Sequence, residues 1–232
     1  MSKPKRIRLI ALNIDGVVLP DTFSPVIHSL VKRFDGEYTR EIERNVFSQQ
    51  QEIAAAFLID KLRLTLSIPD LIKLYFEERD IYLRENPIRP AAGLKAFLED
   101  LKELGVRIIC YGGLDISHFH KEMGAFIDYF DGERYICTND FRPGMREIVR
   151  DYHSLDYENV LFIDDVNRVA EEAKSLNIPF IGIPSSFAYG YQKADMKATG
   201  VKYIVSSIRD VDKQLILNID KEIAENTLWT TQ

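Results

Sequence analysis

Three short apolar runs, each stopped by acidic residues or glycines, constrain this chain most. Residues 8–14 end at Asp15-Gly16, residues 106–111 end at Gly112-Gly113, and residues 159–163 end at Asp164-Asp165. Runs this short and this continuously apolar read as strands buried on both faces, the situation of a parallel sheet covered by helices. Residues 134–138, 179–183 and 202–205 are further strand candidates.

Helical stripes lie between the strands. Leu94, Phe97, Leu98, Leu101 and Leu104 follow one apolar stripe, and Gly105 supplies a stop. Val169, Ala170, Ala173 and Leu176 make another. From about residue 88 onward strands and helices alternate, which predicts a doubly wound (Rossmann-like) α/β core. Right-handed crossovers would set its strand C-termini along one rim. Residues 22–86 differ: helical patterns at 23–34, 39–59 and 69–85, with Ser67 as an N-cap before Pro69. Asn86-Pro87-Ile88-Arg89-Pro90 then breaks the pattern. The expected organisation is an α/β core of residues 1–20 plus 88–232, with an inserted all-helical cap at 21–87. Residues 209–224 read as a closing helix.

A chain of 232 residues accommodates such a core with a smaller insert. Its net charge of −6 and pI near 5.4 argue against a general binder of nucleic acid or anionic membrane. The basic stretch Lys3 to Arg8 reads as a solvated lead-in to the first strand. Leu9 to Leu12 is too short for a signal-peptide core, and no stretch is long enough to span a membrane, so a cytoplasmic location is the default expectation. The two cysteines show neither zinc spacing nor a disulfide framework. Cys110, in an apolar run, is expected to be a small buried hydrophobe.

The strand ends carry the chemistry. Residues two apart on a strand project to one side, so Asn13 and Asp15 share a site if Gly16 turns the chain sharply. Asp164 and Asp165 would bring further acid to a neighbouring tip. Clustered carboxylates repel one another, and a divalent cation relieves this; oxygen ligands favour Mg²⁺. Arg142, in Phe141-Arg142-Pro143, offers positive charge for an anionic oxygen.

In order and spacing these features resemble the haloacid dehalogenase-like superfamily, most of whose members are phosphatases and related phosphotransferases. The resemblance runs over nearly the whole chain. Its first motif, a strand ending Asp-x-Asp-Gly-(Val/Thr), is matched by Asn13-Ile14-Asp15-Gly16-Val17; its third, Lys or Arg before Pro, by Arg142-Pro143; its fourth, an acidic pair, by Asp164-Asp165. Residues 88–94 resemble the segment that returns the chain from the family's helical cap. The resemblance implies Asn13 at the nucleophile position, Asp15 as general acid/base, and Arg142 offsetting phosphoryl charge. It implies Asp165 as the better metal ligand, Asp164 as a second ligand or its outer partner, and the Asn13 and Asp15 carbonyl oxygens completing a Mg²⁺ site.

Two motifs depart from the family pattern. A carboxamide at Asn13 is a very poor nucleophile, and losing a covalent nucleophile commonly costs about 10⁴-fold or more in turnover. The second motif, a strand ending in Ser or Thr, falls on Gly112 or on Tyr111 one residue earlier. Backbone N–H groups of Gly112 and Gly113 could still bind phosphate. The first functional expectation is a protein that binds a small phosphorylated ligand with Mg²⁺ and has impaired or absent turnover, with a protein partner open to it if inactive. The alternative is an active phosphomonoester hydrolase in which Asn13 is an engineered Asp substitution; a third idea makes Cys110 the nucleophile.

Other polar and aromatic features receive plainer readings. His118 and His120, on different helix faces, are expected to be ordinary surface histidines. Residues 185–191 are expected to be a surface connection with aromatics packed on the core, and Phe57, Tyr75 and Phe76 to pack inside the helical segment.

Overall fold

The structure, a computed structural model, describes residues 3–230. All three apolar runs form strands, and they lie side by side. β1 (Leu9–Asn13), β2 (Arg107–Gly112), β3 (Tyr135–Cys137), β4 (Val160–Asp164), β5 (Phe180–Gly182) and β6 (Tyr203–Ile204) form one six-stranded sheet in the order β3-β2-β1-β4-β5-β6. Every pairing is parallel.

Both faces of the sheet are covered, which explains the continuous apolar runs. Leu9, Ala11, Ile109, Tyr111, Val160 and Phe162 belong to one core cluster, while Ile10, Leu12, Ile108, Cys110, Leu161 and Ile163 belong to the other. After β1 come four helices and no strand: α1 (Phe23–Arg33), α2 (Arg40–Val46), α3 (Gln51–Leu62) and α4 (Ile68–Glu85). Next is α5 (Leu94–Leu104), followed by α6 (Ile116–Met123) after β2, α7 (Asn167–Ser175) after β4, α8 (Gln192–Thr199) after β5 and α9 (Lys213–Glu225) at the end. α5, α6 and α9 pack on the second face; α7, α8 and the buried side of α1 join the first cluster. The chain leaves β1 towards β2 and β3, then returns to β4 on β1's other side. The switch of direction therefore lies between β1 and β4, where ligands of such sheets bind.

Several elements differ from expectation. The predicted helix at 39–59 is two helices, because Phe47 is extended and Ser48 has φ 50, a pair that cannot continue helical hydrogen bonding. The closing helix starts at Lys213, not 209. A short turn over Ile208–Asp210 precedes it, and Asp212 Oδ1 caps it by accepting Leu215 N–H at 2.7 Å. The lead-in to β1 is not simply solvated: Asp220 of α9 accepts the N–H groups of Lys5, Arg6 and Ile7 at 2.8, 2.7 and 2.8 Å. Residues 185–191 pack on the helical segment: Phe187 and Tyr189 meet His28 of α1, and Tyr191 N–H reaches Glu43 of α2. Among the described residues no helix is long and apolar enough to cross a membrane.

Candidate active site

Sheet register brings the predicted residues together. Asn13 pairs with Tyr111 on one side, and Leu12 pairs with Ile163 on the other, so Asp164 stands beside Asn13. Past β1 the chain reverses at Gly16, held by Gly16 N–H to Leu19 O and Leu19 N–H to Ile14 O, both 2.9 Å. Gly16 has φ +97, and a Cβ there would lie 2.2 Å from Asp165 Oδ2. Only glycine allows both this turn and the close approach of Asp165.

Asn13 Nδ2 donates to Asp165 Oδ1 at 2.9 Å and to the Asp15 carbonyl at 3.2 Å. Asp164 has both carboxylate oxygens engaged: Oδ1 accepts Val166 N–H at 2.7 Å, and Oδ2 accepts the Tyr111 hydroxyl at 2.5 Å, across the end of β1. Burial pushes the Asp164 carboxyl up to about 6, against the opposing pull of Tyr111, the Val166 N–H and Arg142. Burial first, then the negative charges of Asp164 and Asp21, push Asp165 well above the usual carboxylate range.

At the second motif Gly112 is buried beneath the rim. Its carbonyl accepts Thr138 N–H at 2.7 Å and Thr138 Oγ1–H at 3.0 Å. Gly113 lies at the surface of the cleft, and a Cβ there would stand 2.0 Å from Arg142 Nη2. Arg142 therefore lies directly across Gly113, with its Nε buried and without a partner. Asn13, Asp15, Gly113, Arg142, Asp164 and Asp165 line one cleft, of about 1090 Å³ counted to its open mouth; Gly112 does not line it.

Sequence reasoning missed several residues here. His118 is not an ordinary surface histidine: its Nε2 is 3.0 Å from Asp15 Oδ1 and its side chain is 10% exposed. The two histidines do lie on different faces, and His120 is exposed. The usable signal was Asp115, which caps α6 by accepting Ser117 N–H at 2.9 Å and so starts the helix at the rim. Tyr75, expected inside the helical segment, lines the cleft together with Asp21, Ser48 and Arg79. Cys110 is fully buried and its thiol is pushed up by burial, so it is no nucleophile.

Asn13 Nδ2 stands between two oxygens, Asp165 Oδ1 and the Asp15 carbonyl. Each Asp164 oxygen already accepts one hydrogen bond, whereas Asp21 Oδ2, in the same cleft, accepts none. Turned end for end, the Asn13 carboxamide presents its carbonyl oxygen beside Asp165 Oδ1 and the Asp15 carbonyl, an oxygen set of the kind Mg²⁺ takes.

No family model matches the chain, and no curated protein matches it. Solved structures do match. A phosphonoacetaldehyde hydrolase-like protein from Oleispira antarctica superposes with a TM-score of 0.68 at 12% identity, covering 97% of this chain and 96% of that one. The fold is the haloacid dehalogenase-like fold. A HAD hydrolase of family IA, variant 3, from Entamoeba histolytica gives 0.64 at 14% identity, over 93% of this chain and 100% of that one. An Asp-to-Asn mutant of CbbY from Rhodobacter sphaeroides, in complex with xylulose-1,5-bisphosphate, also gives 0.64 at 14%, over 87% and 95%.

Proposed function

We propose that the chain binds a small phosphorylated ligand at the strand tips, and that its turnover is impaired or absent. One observation carries this reading: the residue at the tip of β1, paired with Tyr111 and within hydrogen-bond reach of Asp165, is Asn13, a neutral carboxamide. The position from which a carboxylate would attack phosphorus holds a neutral group. Arg142, laid across Gly113, would receive the phosphate oxygens, with the Gly113 N–H beside it. Asp15, hydrogen-bonded to His118, stands where a proton could pass to a leaving oxygen. Helices α1–α4, residues 21–87 in the domain reading, act as the cap that closes the site. Mg²⁺ would be held by Asp165, the Asp15 carbonyl and the Asn13 carboxamide oxygen once that carboxamide is turned. When bound, it would screen the acidic oxygens and draw charge from a phosphoryl oxygen.

The test compares the protein with Asn13→Asp against a panel of phosphate monoesters in the presence of Mg²⁺. The parent is expected to show no turnover above background, and the variant a gain of about 100-fold or more. Robust turnover by the parent would sink the proposal. The alternative, an active hydrolase with an engineered Asn13, leaves Gly112 without an account: a Cβ at this position would stand 2.5 Å from Ile14 Cγ2, so the second departure is built into the packing.

A further inference from the structure

Among the described residues seven buried side-chain polar atoms lack a hydrogen-bond partner, and four belong to residues lining the cleft: Asp21 Oδ2, Ser48 Oγ, Arg79 Nη2 and Arg142 Nε. Folded chains leave few such atoms unpaired, because each has lost its water without replacement. Four of the seven gather at one cleft, where a ligand or ordered water would pair them. Arg142 is explained by the phosphate at the strand tips. Arg79 is not.

Arg79 is on α4 and only 9% exposed. It continues the stripe of Leu71 and Tyr75 at four-residue steps, and both of these also line the cleft. Its sequence neighbour Glu78 is paired with Arg33 of α1, and among the described residues no acid, Asp21 of the same cleft included, lies within 4.0 Å of the Arg79 guanidinium. A guanidinium stays charged at any ordinary pH, and a buried charge without a counter-ion is costly. An anion carried in by the ligand removes that cost. Much of the remaining wall is apolar, including Leu30, Phe47, Leu58 and Ile72. An apolar body would be buried against that part of the wall.

We propose that the cleft takes a two-ended organic anion with an apolar body. Its phosphate sits at Arg142 and Gly113, its body lies against α1–α4, and Arg79 receives a second acidic group, phosphate or carboxylate. This rests on the phosphate reading of the strand-tip site.

Calorimetric titration of the full chain tests it. The probes are inorganic phosphate, n-alkyl monophosphates, and the matched alkanediol bisphosphates and ω-phosphonooxy alkanoates over a graded series of chain lengths. At one length a two-ended probe is expected to bind about 10-fold or more tightly than its monophosphate. The bisphosphate and carboxylate arms show which second acid is preferred. Arg79→Met is expected to bring the two-ended probe down to the affinity of the monophosphate, and Arg79→Lys to keep part of the preference. A melting temperature of Arg79→Met at or above the parent's shows that the arginine does not serve the fold. No preference at any length, or one that survives in Arg79→Met, overturns the assignment while leaving the phosphate reading standing. If inorganic phosphate does not bind and Arg142→Gln changes nothing, the phosphate reading fails, and this inference with it.

Discussion

At Gly112 an added Cβ would sit 2.5 Å from Ile14 Cγ2 and 3.1 Å from the Tyr135 hydroxyl. Ile14 is fully buried and β-branched, so it has little freedom to yield. Restoring the family's hydroxyl as Gly112→Thr is therefore expected to destabilise by about 1–3 kcal/mol through overpacking. Urea denaturation measures this, and in the Asn13→Asp background the same change is expected to add no turnover. An unchanged urea midpoint together with added turnover would show that the strand end accepts the side chain after all. The meeting of Asn13, Asp15 and Asp164-Asp165 at neighbouring strand tips was legible because strand periodicity and the stops after apolar runs are local signals. His118 was not. Its role depends on where α6 begins relative to the rim, and spacing along one helix says nothing about that.

Between elements a buried polar tie forms at Glu43 of α2. This residue is fully buried, and its carboxylate accepts the Tyr38 hydroxyl at 2.8 Å, Tyr191 N–H at 2.9 Å and Gln192 Nε2–H at 2.7 Å. It thereby binds the segment before α8 to the helices after β1. Glu43→Ala leaves three donors without an acceptor and is expected to cost about 3 kcal/mol, read from chemical denaturation. Glu43→Gln keeps an oxygen and should cost less; equal, negligible losses in both would show that water replaces the carboxylate. Helix existence was readable from apolar stripes, but the break at Phe47-Ser48 was not. Both residues suit a helix by composition, and the break answers a tertiary demand. It brings Ser48 to the cleft and starts α3 so that Gln50 Nε2–H reaches the Asp140 carbonyl at 2.7 Å.

Across the whole molecule, the acidic cluster makes stability depend on pH. The folded-state pKa of Asp165 is raised by burial, so the folded chain holds a proton that the unfolded chain releases. That stabilisation is present at low pH and is lost as pH rises. His28 and His153, whose pKa values burial lowers, pull the other way below about 6.5. The measurement that isolates the cluster is thus the difference in melting temperature between Asp165→Asn and the parent, without metal, from about pH 6 to 8. The difference should grow in favour of the variant as pH rises; a flat or falling difference would falsify the shift. The order of strands and helices, the parallel sheet, and the placing of Asn13, Asp15, Arg142, Asp164 and Asp165 at its rim were determined by the sequence itself. Apolar runs must be buried on both faces, and parallel strands that share a crossover hand share a rim. Only the tertiary structure decided what faces those tips: His118 on Asp15, the Asn13 amide between two oxygens, and Arg79 in the opposite wall of the cleft. These are contacts between segments far apart in the chain. Their distances depend on how helices pack over the sheet, and no local pattern of residues encodes that.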